Sequence, residues 1–235
     1  MEANIQQQIK AHRVRVWDLP TRVFHWSLVL CVIGAVVSGN IAGNAMVWHF
    51  RFGFCILTLL LFRIVWGFVG NRYARFSSFL PNPLAAWKTL RGAASNTLGH
   101  NPLGAWSVYA FLVMLSVQAI TGLFSNDDIA NEGPWAVKIA KDLSDALTSW
   151  HKGYNKGIIV GLMLLHIAAI LYYRYVKKER LLKAMITGDK EVVASESADE
   201  TIRVQSAEDT TALRLRALAV LAICAAVVWF AVTKL

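Results

Sequence analysis

WHKGYNKGIIVGLMLLHIAAILYYRYV, running from Trp150 to Val176, decides how the rest of the chain is read. From Gly157 to Tyr173 it holds no charged residue, and the whole stretch exceeds the ~20 residues that a helix needs to cross ~30 Å of hydrocarbon. It also carries two histidines, His151 and His166, 15 residues apart. At ~100° and ~1.5 Å per residue they fall on nearly one face of a helix, ~22 Å apart along its axis. A polar ring in lipid costs free energy, so such residues face a bundle interior where they have a task.

Four further apolar blocks surround this one: about Val23 to Gly39, Val47 to Val69, Gly104 to Phe124 and Leu215 to Thr233. The 235-residue chain is 56% hydrophobic and only 17% charged, an unusual balance for a water-soluble domain. Lipid cannot satisfy open backbone groups and strand-like alternation is absent, so the expected fold is an all-α integral membrane bundle. Four transmembrane helices form its core and a fifth, C-terminal one is added. The expected division is an N-terminal segment 1–22, a four-helix domain 23–188, an acidic linker 189–212 and the last helix 213–235. The polar start, Met1 to Lys10, offers no leader core, so the first span is expected to direct insertion.

The net charge of +9 sits beside the ends of the spans, which reads as topology and excludes a nucleic-acid patch. Lys10, Arg13, Arg15 and Arg22 precede the first span; Arg72, Arg75, Lys88 and Arg91 follow the second; Arg174, Lys177, Lys178, Arg180 and Lys183 follow the fourth. These segments are expected in the cytoplasm of a bacterium, with the chain in its inner membrane and the C-terminus in the periplasm. Ser125 to Ser149, rich in Asp and Glu, is expected outside. Within it Trp135, Ile139, Leu143 and Leu147 recur every four residues, which predicts a short amphipathic helix, either on the membrane surface or as a lid on the bundle. Glu191 to Asp209 reads as a solvated linker. Cys31, Cys55 and Cys224 lie in apolar stretches without paired spacing and read as inert thiols.

Four of the six histidines lie in or at the mouths of spans: His25, His49, His151 and His166. His25 opens the first span from the cytoplasmic side and His49 opens the second from the outer side. Depth therefore pairs His25 with His166 and His49 with His151. Such pairs on facing helices suit bis-imidazole ligation of haem iron, whereas a closed tetrahedral zinc site needs ligands that converge at one level. Interfacial or hydrogen-bonded helix histidines are the alternative. His12 and His100, outside the spans, read as solvated.

The chain resembles the prokaryotic cytochrome b561 family, related to the di-haem b subunits of nickel-iron hydrogenases and of respiratory formate dehydrogenase. The residues that carry the likeness are Val16-Trp17-Asp18, Thr21-Arg22, Phe24-His25-Trp26, His49 with Gly53, Arg63-Ile64-Val65-Trp66-Gly67 and Gly70-Asn71-Arg72-Tyr73-Ala74-Arg75-Phe76. It continues through His100-Asn101-Pro102-Leu103-Gly104-Ala105-Trp106-Ser107, Thr121-Gly122-Leu123-Phe124, His151 with Asn155, His166 and Tyr172-Tyr173-Arg174. The resemblance covers about Val14 to Gly188 and implies two haem b groups ligated by the four histidines, with Asn155 in the cofactor site. The acidic linker and fifth span depart from the plainest four-span members.

Arg63 lies inside the second span, where an unpaired guanidinium is costly. A haem propionate is a counter-ion for it and for Arg22, and snorkelling to headgroups is the alternative. Gly34, Gly53, Gly122 and Gly161 offer close approach to a haem or a helix, and Gln118 either bonds a ligand imidazole or a neighbouring helix. The function expected is transmembrane electron transfer between quinone or quinol and a periplasmic redox protein, a c-type cytochrome or a hydrogenase, with no catalytic residue of the protein's own. Rival readings are a superoxide:quinone oxidoreductase, against which the neutral to acidic outer loops count, and a haem-free membrane anchor or transporter.

Overall fold

The computed structural model describes residues 10–93, 97–194 and 206–234, and of these the side chains of 10–12 and 192–194 are left aside. The chain is an all-α membrane protein with five helices long and apolar enough to span a bilayer. These are α1 (Leu19–Ile41), α2 (Met46–Val69), α4 (Pro102–Leu123), α6 (Asn155–Tyr175) and α8 (Thr211–Lys234). Short helices α3 (Pro83–Leu90), α5 (Lys141–Ser149) and α7 (Leu181–Thr187) lie between them, and β1 (Lys10–Arg15) pairs antiparallel with β2 (Asp189–Ala194). A five-residue π-helix, Trp150–Tyr154, joins α5 to α6.

Helix starts follow local chemistry. Asp18 accepts from the Thr21 N–H at 2.7 Å ahead of Pro20, and Asn101 accepts from the Gly104 N–H at 2.6 Å ahead of Pro102. Ala42 and Gly43, both with positive φ, reverse the chain between α1 and α2. The two helices then run antiparallel: the Phe24 and Phe62 rings meet at 6.2 Å, and the Phe52 ring fills the space a side chain at Gly34 would need. Val32, Ile56, Leu60, Leu115 and Ile159 close a core among α1, α2, α4 and α6.

The fifth helix is not a free anchor. Leu213, Ala217 and Cys224, three or four residues apart in step with the helix period, pack on Phe62, Trp66 and Ala74. Asp209 fastens its first turn, taking Arg15 at 2.8 Å and Arg214 at 3.0 Å, with Arg22 at 3.8 Å. At its other end the Trp135 indole donates to the Ala231 carbonyl at 2.9 Å.

Three expectations change. The stretch from Glu191, read as a solvated linker, begins inside β2, because β1, whose Arg13 pairs with Glu191, satisfies its backbone; residues 195–205 lie outside the described residues. The helix placed on Trp135 to Leu147 starts only at Lys141. Ahead of it the Gly133 and Trp135 N–H groups donate to Ser125 and Leu123 carbonyls at 2.7 and 2.8 Å, closing the open end of α4 and leaving Ile139 extended. The element is a lid on the bundle: the Ser144 hydroxyl donates to the Phe124 carbonyl at 2.7 Å.

His100, read as solvated, is half-buried between the Trp17 ring at 4.7 Å and the Phe79 ring at 4.2 Å, with its Nδ1 out of contact with solvent. The side chain of His12 lies outside the described residues. Burial, helped by the nearby Arg63 charge, pushes His100 down from its ordinary 6.5 to about 3. An unfolded chain therefore takes up this proton before the folded one does on acidification. The stability that His100 contributes is complete above its unfolded value and is lost as pH falls from there toward the folded one. His100→Phe keeps a ring in the slot and is expected to flatten the fall of the thermal unfolding midpoint between about pH 6 and pH 4, measured in detergent.

Candidate functional site

His49 sits in the first turn of α2 and His151 in the π-helix that leads into α6. Their rings lie 6.0 Å apart, centre to centre, with planes at 86°. The His49 Nδ1–H donates to the Ala35 carbonyl at 2.8 Å, and the His151 Nδ1–H donates to the Gln118 carbonyl at 2.9 Å. Because a carbonyl only accepts, these contacts set the proton on Nδ1 in both rings and leave each Nε2 as a bare lone pair. Two imidazoles that held one metal ion between them, each at ~2 Å with roughly 1 Å more from nitrogen to ring centre, would stand about 6 Å apart. The observed spacing fits that requirement.

Backbone shape makes room for both rings. A Cβ at Gly39 would stand 2.8 Å from the His49 Nδ1, and one at Gly122 would stand 2.8 Å from the His151 Cε1. The π-turn is an uncommon conformation that concentrates at functional positions. Here the Gln118 amide donates to the His151 carbonyl at 3.0 Å, and the Asn155 amide in turn donates to the Gln118 Oε1 at 2.8 Å and the Met114 carbonyl at 3.0 Å. Asn155 is wholly buried and acts on the pair through Gln118.

His25 stands on α1 and His166 on α6, near enough for their charges to influence one another. Phe111 meets the His166 ring edge-on at 5.7 Å. Residues on either side of His25 tie α1 to the end of α7: the Arg22 guanidinium donates to the Ile186 carbonyl at 2.7 Å and the Trp26 indole to the Met185 carbonyl at 3.3 Å. Among the described residues the buried His25 Nδ1 has no hydrogen-bond partner.

Of the two arginines, Arg22 is taken up by Ile186 and Asp209. Arg63 is 4% exposed and lies over the rings of Phe76 at 4.8 Å and Phe79 at 5.8 Å. Its Nη1 has no partner among the described residues, so it keeps a donor for an anionic group such as a propionate. Gly34 seats the Phe52 ring, while Gly53 and Gly161 face open space. Gly39, Trp26 and the Ala35 carbonyl carry no signal in the sequence: one is a small residue among many, one is aromatic in an aromatic-rich span, and one is backbone.

At the far end, Asn126, Asp127, Asp128, Asp145, Thr148, Ser149, Lys152 and Gly153 line a shallow hollow beside the π-turn. Lys141 bridges Asp128 at 2.7 Å and Asp145 at 3.0 Å. The Asn131 side chain and then the Asn131, Ala130 and Ile129 N–H groups hold the Asp127 carboxyl below the usual carboxylate range.

Comparison with known proteins adds a family to this geometry. Residues 16–188 match the family described as prokaryotic cytochrome b561. The chain is 24% identical over 214 residues to a probable Ni/Fe-hydrogenase B-type cytochrome subunit of Azotobacter chroococcum mcd 1, covering 76% of this chain and 89% of that protein. It is 28% identical over 135 residues to the probable Ni/Fe-hydrogenase 1 B-type cytochrome subunit of Escherichia coli strain K12, covering 46% of this chain and 57% of that one. A similar subunit of Rhizobium leguminosarum bv. viciae is 21% identical over 225 residues, covering 80% and 93%. No solved structure matches.

Asn155→Leu strips a donor from two buried acceptors, the Gln118 Oε1 and the Met114 carbonyl. The expected cost is about 1–3 kcal/mol, seen as a lower thermal unfolding midpoint in detergent, while Gly157→Leu, whose Cβ meets nothing within 4 Å, leaves the midpoint near wild type.

Proposed function

Because the chain belongs to the prokaryotic cytochrome b561 family, we propose that this b-type cytochrome carries two haem b groups, one between His49 and His151 and one between His25 and His166, and passes electrons across the bacterial inner membrane. The observation that carries the proposal is the far-end pair: two half-buried imidazoles 6.0 Å apart, each with its Nδ1 proton already donated to a carbonyl. When bound, each haem supplies reversible one-electron iron chemistry.

The protein's own groups hold and insulate that chemistry. His49 and His151 grip from α2 and the π-turn, while Ala35, Gln118 and Asn155 fix His151 and His49 in rotation and tautomer. Arg63 offers its free N–H to a propionate at the opposite level, and Arg22 braces α1 on α7 beside His25. The apolar core of Val32, Ile56, Leu60, Leu115 and Ile159 keeps water out of the space between the two levels.

Charge supports an orientation. Arg13, Arg15, Arg22, Arg72, Arg75, Lys88, Arg91, Arg174, Lys177 and Lys178 all flank the end that holds His25, which supports a cytoplasmic N-terminus and a periplasmic C-terminus. The division into residues 1–22, 23–188, 189–212 and 213–235 goes with this proposal, the first and third sharing the β1–β2 ribbon. The periplasmic partner is a hydrogenase, the assembly that the relatives' names carry, or a c-type cytochrome. Quinone or quinol serves as the exchange partner within the membrane.

The test is a set of reduced-minus-oxidised spectra for wild type and for alanine at each histidine. His25→Ala and His166→Ala are expected to lose one and the same component, and His49→Ala and His151→Ala the other. Loss grouped in any other way, or a wild-type protein without Soret absorption, would overturn the reading.

A further inference from the structure

The two histidine pairs are not built alike. Both rings of the far-end pair donate Nδ1–H to a backbone carbonyl, from Ala35 and from Gln118, and the Gln118–Asn155 amides lock the second of them. A donated Nδ1 proton gives imidazole part of the character of imidazolate, a stronger donor that favours ferric iron. At the other level the buried His25 Nδ1 has no partner among the described residues, so that ligand lacks the same support.

Charge acts in the same direction. Ferric haem carries one more positive charge than ferrous haem, so a buried cation favours the reduced state and raises the potential. Arg63 is 4% exposed and, by the Phe24–Phe62 contact, stands at the level of His25, whereas the charge of Arg22 is met by Asp209 at 3.8 Å. Asp18, the acid whose charge reaches Arg63, offsets part of this field. At the far end the charges of Asp127, Asp128, Glu132, Asp142 and Asp145 are matched by those of Arg51, Lys138, Lys141, Lys152 and Lys156, which leaves Lys234 at the end of α8. Those of Lys141, Asp128 and Asp145 are exposed and screened by salt.

Resting on the di-haem reading above, we propose that the His49/His151 site holds its iron at the lower potential and the His25/His166 site at the higher, so that the protein matrix itself sets a downhill step from the far end to the N-terminal end. When haem is bound, His49 with His151 and His25 with His166 would each hold iron that supplies one-electron exchange, and no side chain of the protein would gain or lose a proton. Gln118 is a positioning residue: it touches the His151 backbone, and through it fixes the ring that sets the lower potential.

The experiment is a potentiometric titration of the purified full-length protein in lipid nanodiscs, following the two b-band components in wild type, His49→Met, His25→Met, Gln118→Leu and Arg63→Gln. Methionine in place of one imidazole raises the potential of the iron it binds. His49→Met is expected to move the lower component upward or to remove it, and His25→Met to do the same to the higher one. Either result assigns the component, so failure of haem incorporation at one level still decides the question. Gln118→Leu is expected to raise only the lower component and to change its low-spin ferric EPR anisotropy, which reports the angle between the ring planes; Arg63→Gln is expected to depress only the higher. The reverse assignment, or two levels at one potential, would overturn the inference while leaving two haems in place. A protein without haem would instead remove the reading beneath it.

Discussion

A neutral imidazole inside a bilayer has one proton to donate and one lone pair to place, and hydrocarbon accepts neither. At the far end both protons are committed, to the Ala35 and Gln118 carbonyls, so two lone pairs are left in rings 6.0 Å apart. Each lone pair is available to an electrophile held by the two rings. Much of the local backbone follows from that arrangement. Gly39 and Gly122 are bare where the rings need room, the π-turn carries His151, and Gln118 and Asn155 close the polar groups behind it.

The rest of the bundle serves to keep these levels in register. α1 and α2 must hold their phase over their whole length, because α1 supplies both the Ala35 carbonyl at one level and His25 at the other. The ring contacts at Gly34 and Phe24 do this from within. From outside, α8 is fastened at both ends, by Asp209 to Arg15 and by the Trp135 indole to the Ala231 carbonyl, and it lies along α2 between those points. The helix beyond the family's four-span core is thus an external splint on the segment that carries both His49 and Arg63.

The five spans were legible because length and apolar composition are properties of the residues themselves. That His49 and His151 would meet was legible because depth along a helix is a matter of counting at ~1.5 Å per residue. What escaped depends on partners far away in the chain. His100 reads as polar and loop-borne, yet Trp17 and Phe79, one from the N-terminal segment and one from beyond α2, close over it. The run from Trp135 to Leu147, apolar at every fourth residue, promised one helix, but the open Leu123 carbonyl at the end of α4 claimed the Trp135 N–H. β2 lies in a segment without apolar periodicity, and only its pairing with β1 makes it a strand.

The two arginines show how alike residues part company once partners are counted. Both stand near the cytoplasm-facing level by sequence, and both were matched with a propionate on the same argument. Arg22 donates to the Ile186 carbonyl and shares Asp209 with Arg15 and Arg214, so its charge is largely met by the protein. Arg63 has aromatic faces at 4.8 and 5.8 Å in place of a hydrogen-bonded carboxylate, and one N–H unmet. Cation–π contact compensates a guanidinium only in part, at ~0.5–2 kcal/mol, against the larger loss of hydration on burial. A charge kept buried on those terms is screened less than a surface charge, and Asp18 offsets only part of its field at the neighbouring level.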